Sequence, residues 1–223
     1  MFSRLKYDVR LIRERDPAAR NDLEVLLLYS GLHAVMMHRV AHWFYENRCY
    51  LPARMISQLN RFLTQVEIHP GAKIGKGLFI DHGSGVVIGE TAEIGDNCTI
   101  YQGATLGGTG KHTGKRHPTL GNNVMVGSGA KVLGPFKVGD NAKIAAGAVV
   151  LEEVPENATA VGVPARMVDR NKKKSAPKSQ ACKDMDLDQV HIPDPVSQEL
   201  CKLLLRIEQL EQKSKELEGK GAK

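Results

Sequence analysis

Between residues 68 and 150 an aliphatic side chain returns at every sixth position, in three blocks whose register slips twice. Ile68, Ile74 and Ile80 make the first block, Ile88, Ile94, Ile100 and Leu106 the second, and Leu120, Val126, Val132, Val138, Ile144 and Val150 the third. Glycine follows directly at Gly75, Gly89, Gly95, Gly107, Gly121, Gly127 and Gly139. A helix repeats its buried face about every 3.6 residues and a strand about every 2, so a period of six belongs to neither alone. It predicts a parallel β-helix, in which each repeat supplies a short strand and sends one aliphatic residue into a narrow prism. On so regular a scaffold, the residues that break the repeat are the first candidates for chemistry.

The flanks carry different patterns. Val25, Leu28, Leu32, Val35, Met36, Val40 and Trp43 fall at helical steps, and a second run begins at Pro52 with Met55, Ile56, Leu59, Phe62 and Leu63. These predict helices that cap the open end of the coil stack. A polar, proline-punctuated stretch ends in Ile192, Pro193, Asp194 and Pro195. Beyond it Val196, Leu200, Leu203, Ile207, Leu210 and Leu217 keep a four-three spacing, with Ser214 at the one missed turn, which reads as a short heptad seam. The expected class is therefore α+β: a helical domain over residues 1–66, a parallel β-helix of hexapeptide repeats over 67–168, a linker over 169–195, and an amphipathic helix, able to form a coiled coil, over 196–223.

Composition narrows the picture. Aromatic residues make up 5% of the chain and glycines number 22, which suits a thin core with tight corners. Cys49, Cys98, Cys182 and Cys201 form no CxxC pair, and a reduced, cytoplasmic setting is expected. Charges at Arg4, Lys6, Asp8 and Arg10 precede any apolar run, unlike a signal peptide. The apolar stretch from Val25 to Tyr45 is interrupted by His33, His38, Arg39 and His42, so no membrane span is expected. The net charge of +6 is concentrated at Arg170, Lys172, Lys173 and Lys174, in the linker and without interleaved aromatics. That excludes a stacking surface for nucleic acid.

Chemistry-bearing residues gather at the two slips. The first holds Asp81, His82, Gly83, Ser84 and Gly85; the second, from Gly107 to Pro118, carries Thr109, Lys111, His112, Lys115, Arg116 and His117. Histidine alone has an ordinary pKa that lets it take and return a proton near neutrality, and a carboxylate can orient it. Asp81, His82 and Glu67 on the preceding coil are placed to supply such a pairing; taken alone, Asp81 and His82 also suit turn residues that bond their own backbone.

The segments IHPGAKIGKG (68–77), DHGSGVVIGET (81–91), GATLGGTGK (103–111), RHP (116–118) and GVPAR (162–166), with RDPAA (15–19) and the run from Tyr29 to Trp43 upstream, resemble the serine O-acetyltransferases over about residues 8–170. GVPAR and hexapeptide repeats are shared with sugar and antibiotic acetyltransferases; the other segments make the match specific. The resemblance implies a left-handed β-helix assembling as a trimer, or a dimer of trimers, with active sites between subunits. Serine's hydroxyl would attack acetyl-CoA directly, giving O-acetylserine for cysteine synthesis, with acetyl-CoA a co-substrate and no resident cofactor or metal. It makes His82 the general base, with Glu67 where the family often has an orienting aspartate. Asp16 and Asp81 would hold the serine ammonium, and Arg116 its carboxylate. His117 would help place the hydroxyl. Gly108, Ser128, Lys143, Ala146 and Gly147 would line the CoA groove. L-Cysteine is implied as feedback inhibitor. The C-terminal Gly-Ala-Lys lacks the isoleucine with which many relatives enter O-acetylserine sulfhydrylase, so that complex is not expected. A sugar or antibiotic acyltransferase is the alternative within the class. A zinc hydratase on a similar trimer would need three histidines, and Asn122 and Asn123 stand where a further ligand to join His82 and His117 is wanted.

Overall fold

A computed structural model of the chain describes residues 2–108, 110, 113–168, 203, 204, 206, 207, 209 and 210. It divides into two units, Met1–Met167 and Val168–Lys223. The first opens with four helices, α1 (Phe2–Arg15), α2 (Asp22–Leu28), α3 (Ser30–Glu46) and α4 (Tyr50–Thr64). α4 stops where Gln65 turns left-handed (φ +60°), and the chain enters the first coil at once.

The first coil is β1 (Glu67–Ile68), β2 (Lys73–Ile74) and β3 (Phe79–Asp81). The second is β4 (Val87–Ile88), β5 (Glu93–Ile94) and β6 (Thr99–Tyr101), and the third β7 (Thr105–Gly107), β8 (Thr119–Leu120) and β9 (Met125–Val126). The stack continues through β10 (Lys131–Leu133), β11 (Lys137–Val138) and β12 (Lys143–Ile144), and closes with β13 (Val149–Val150), β14 (Thr159–Val161) and β15 (Arg166–Val168). Every coil-to-coil pairing is parallel, and three faces result: β1-β4-β7-β10-β13, then β2-β5-β8-β11, then β3-β6-β9-β12-β14-β15. This is the parallel β-helix that the period of six predicts, of the left-handed kind that the resemblance implies.

The aliphatic series fills the prism, from Ile68 (1% exposed) to Val150 (0%), with only Ile74 partly exposed. The core also takes a second residue per repeat, two positions earlier: Val66, Ala72 and Leu78 in the first coil, Val86, Ala92 and Cys98 in the second. The expectation of one inward residue per repeat was therefore too spare. Alanine gives little hydrophobic signal, yet it is what a corner of this width admits. The Cys98 thiol, pushed up to about 11 by burial, packs here as an apolar group.

The helices close the first coil. α3 crosses β3 so tightly that a Cβ on Gly31 would lie 2.1 Å from the Ile80 carbonyl oxygen. Buried Asp8 of α1 joins Arg39 of α3 at 2.7 Å and accepts the Gly77 N–H at 3.0 Å, pinning helix to helix and helix to coil. Breaking such a pair costs about 3–5 kcal/mol, because one buried charge is left alone. In the second unit Leu203, Ile207 and Leu210, all on the expected heptad seam, are helical and more than half exposed.

Candidate active site

The two register slips are insertions at two corners of the prism. Ile80 to Ile88 spans eight positions, two beyond the repeat, and Leu106 to Leu120 spans fourteen, eight beyond it. At the first insertion, between the third and first faces, Gly85 keeps the ordinary corner role. Its N–H donates to the Gln65 carbonyl at 3.0 Å, as those of Gly103, Gly129 and Gly147 donate to Ser84, Gln102 and Ser128 higher up. The surplus residues are His82 and Gly83. His82 takes a left-handed backbone (φ +58°), a conformation that histidine tolerates better than most residues. Its ring projects into solvent with 75% of the side chain exposed, and Asp81 lies 3.9 Å from Nε2, beyond hydrogen-bond range.

Asp16, at the end of α1, joins this corner. Its carboxylate accepts the Ala18 N–H at 2.8 Å and the Tyr29 hydroxyl at 2.5 Å. Burial, then the hydrogen bond to Asp16 and the nearby charges, Asp81 among them, push the Tyr29 phenol up to about 12. Tyr29 thus bonds one of the two carboxylates expected to bind an ammonium and feels the charge of the other. Glu67 does not complete the expected dyad. Its carboxylate lies 3.4 Å from Arg61 at the end of α4, and it makes no hydrogen bond or ion pair with His82. Arg61 on the last turn of α4 is the competing partner that the repeat pattern gave no reason to expect.

The second insertion, between the first and second faces, returns through Lys115, Arg116 and His117; Thr109, Lys111 and His112 lie outside the described residues. The Arg116 guanidinium donates to Glu90, whose other oxygen accepts the Tyr45 hydroxyl at 3.0 Å. Arg116 first, then Tyr45, hold the Glu90 carboxyl below its usual range against the opposing effect of burial. His117 is 8% exposed and its Nδ1 is engaged by Thr91. Burial, and then the charge of Arg116, push its pKa down. Glu90, Thr91, Tyr45 and Tyr29 were absent from the sequence-based site. Glu90 and Thr91 close the segment DHGSGVVIGET and so had a signal; the tyrosines sit at opposite ends of α3, where only the fold brings them to the two corners.

Of the expected CoA positions, Ser128, Ala146 and Gly147 fall on the same corner as His82, higher up the stack. Lys143 is exposed on β12 of the third face, and Gly108 begins the second insertion. A Cβ at Gly108 would come within 3.0 Å of Arg116 and 3.2 Å of His117 Nε2, so glycine there lets the returning strand close.

Residues 117–152 match the family described as bacterial transferase hexapeptide (six repeats), which defines the class as hexapeptide-repeat transferases. The chain is 55% identical over 219 residues to the serine acetyltransferase of Synechococcus elongatus, covering 98% of this chain and 85% of that one. It is 51% identical over 221 residues to that of Bacillus pumilus, covering 99% and 95%. Among solved structures it is similar to Neisseria gonorrhoeae serine acetyltransferase in complex with serine, with a TM-score of 0.73 and 42% identity over 75% of this chain and 69% of that one. Brucella abortus serine acetyltransferase in complex with coenzyme A gives 0.73 and 45% over 75% and 67%. The chain belongs to the serine acetyltransferase family.

Proposed function

We propose that the chain transfers the acetyl group of acetyl-CoA to the hydroxyl of L-serine by direct attack, with the two insertions as halves of one site. His82 removes the hydroxyl proton as serine Oγ attacks the thioester carbonyl, and returns it to the departing CoA sulfur. Asp16 and Asp81 hold the ammonium, and Arg116, anchored at one nitrogen by Glu90, holds the carboxylate through its remaining N–H donors. Ser128, Ala146, Gly147 and Gly108 offer an extended pantetheine a surface of small residues, with Lys143 beside it for phosphates. Glu67 orients His82 only on leaving Arg61. L-Cysteine, with the same ammonium and carboxylate, competes with serine as feedback inhibitor.

One observation carries the reading. The free histidine beside two carboxylates and the guanidinium beside a buried histidine are on opposite corners of the first face. The four steps from Gly85 to Gly89 span about 13 Å of extended chain, too far for one amino acid to bridge. A trimer resolves this, since the first corner of one subunit then meets the second corner of the next. The cytoplasm suits the free thiols of Cys49 and Cys98, and among the described residues no helix is long and apolar enough to cross a membrane. The test is mixing. Acetyl-CoA consumption should require L-serine; at serine well below the unmutated chain's KM, His82→Ala and Arg116→Ala should each show little activity alone, and refolding them together should restore part of it. No restoration in confirmed mixed trimers would place both halves in one chain.

A further inference from the structure

Thr91 spends all of its polar groups on the strand that returns from the second insertion. Its carbonyl accepts Lys115 Nζ at 2.7 Å, and its Oγ1 accepts the main-chain N–H groups of Arg116 and His117 at 3.0 and 3.1 Å. Its own N–H donates to His117 Nδ1 at 3.1 Å, and its hydroxyl lies 2.9 Å from the same nitrogen. The directions of these bonds fix a proton. A main-chain N–H can only donate, so Nδ1 is an acceptor and carries no hydrogen. Oγ1 already accepts twice, which leaves its hydrogen directed at Nδ1 as well. The hydrogen of a neutral ring is then on Nε2. That atom lies over glycine: a Cβ on Gly89 would stand 2.1 Å from it and one on Gly108 3.2 Å away. Among the described residues no protein group accepts from it.

We propose that Thr91 is a positioning residue that locks His117 as a neutral imidazole protonated on Nε2, so that His117 serves the reaction only as a hydrogen-bond donor, to the thioester carbonyl oxygen. This rests on the reading that His117 lies in the serine and thioester site. A fixed donor is ill matched to the attacking hydroxyl oxygen, whose electrons it would draw away. It is well matched to the carbonyl oxygen, which gains negative charge as the tetrahedral intermediate forms, and a donor already in place needs no reorganisation. Protonation of Nδ1 would set N–H against N–H at Thr91, and burial opposes it too. Proton transfer is thereby left to His82 alone.

The tautomer and the role are read by separate measurements on the full chain. In a histidine-¹⁵N spectrum, with His117 assigned by its loss in His117→Asn, Nδ1 should resonate as an unprotonated ring nitrogen and Nε2 as a protonated one near neutral pH. Thr91→Val keeps the Thr91 N–H but loses the hydroxyl that meets Nδ1 and accepts the returning Arg116 and His117 N–H groups, so the ring should be released from that N–H, the tautomers should mix and kcat should fall by roughly tenfold or more, within the 10²–10³ that loss of a whole transition-state donor costs, with KM for serine little changed. Thr91→Ser, which keeps the hydroxyl, should restore both. A protonated Nδ1 in the unmutated enzyme overturns the proposal without any variant. Thr91→Val with unchanged tautomer and kcat overturns it, as does Thr91→Ser as impaired as Thr91→Val. Full activity in His117→Ala would instead remove His117 from the site, while the spectrum still reports the lock.

Discussion

His82 stands on a two-residue insertion with 75% of its side chain exposed and, among the described residues, no hydrogen bond to its ring, whereas His117, at the longer insertion, is 8% exposed and accepts on Nδ1 from two groups of one threonine. The same residue type is thus left free at one corner and locked at the other. A general base must gain and lose a proton and meet a moving hydrogen, so a surface ring on a left-handed turn suits it. A donor to a developing charge must keep one proton in one place, so a buried ring with a fixed tautomer suits that. On the proposed roles, a repeat scaffold obtains two chemistries from one side chain: the ring on the short insertion is left exposed, and the ring beside the long insertion is held by a neighbouring coil.

The most damaging way to break the contrast is at the free histidine. His82→Ala should leave the trimer assembled and lower serine-dependent turnover by roughly 10²–10⁴. Retention of more than about a tenth of the activity, measured as CoA release, would show that another group takes the proton. Glu67→Gln should act in the same direction and less severely, since Glu67 must first leave Arg61 to reach His82.

At the locked corner the effect should fall on binding. Arg116→Ala removes a charged partner for the substrate carboxylate, and hydrogen bonds to charged groups contribute about 1.5–3 kcal/mol, so serine and cysteine should both weaken by roughly 10- to 100-fold. Cysteine inhibition that survives this change would put the regulatory site elsewhere. Glu90→Gln should be milder, because Tyr45 and the main chain still limit where Arg116 can point.

A third histidine sharpens the comparison. His38 on α3 is 3% exposed, and burial, then the neighbouring His42, push its pKa down to about 3 from the ordinary 6.5. The folded chain therefore keeps it neutral, while the unfolded chain takes up a proton below about 6.5. Above that pH the group contributes no pH dependence. Between about 6.5 and about 3 stability falls as pH falls, by at most about 1.4 kcal/mol per unit. Urea midpoints at pH 7.5 and pH 5.5, chosen as about one unit either side of that value, should differ less in His38→Leu than in the unmutated chain. An equal difference would mean that other groups carry the acid sensitivity.

Much of this was legible in the sequence, and the limits have physical causes. Of the two inward positions of each repeat from Ile68 to Val150, the one held by residues such as Ala72 and Ala92 carried too weak a signal, and the period of six gave the other, because a prism of constant width recurs there. The two slips located His82, Asp81, Arg116 and His117 for the same reason. The partners were illegible. Arg61, Tyr29 and Tyr45 belong to helices whose crossing of the first coil depends on packing at Gly31 and Asp8, which no local period encodes. Thr91 was hidden differently: it is one small polar residue on a regular corner, and its use depends on where an eight-residue insertion comes back.

The smallest expected effect on catalysis is at the C-terminal end. Every described partner of His82 and His117 precedes residue 120, so deletion of residues 196–223 should leave both corners working and turnover nearly unchanged. Stability is another matter. Leu203, Ile207 and Leu210 form an apolar seam that a lone helix leaves more than half exposed. About three heptads are short for a free-standing coiled coil, but a trimer would hold three copies parallel at high effective concentration, which favours their pairing. The truncated trimer should then dissociate at lower temperature while its kcat is preserved. A truncation that abolishes turnover with the trimer intact would mean that the tail reaches a corner after all, and the division of labour between the free and the locked histidine would have to include it.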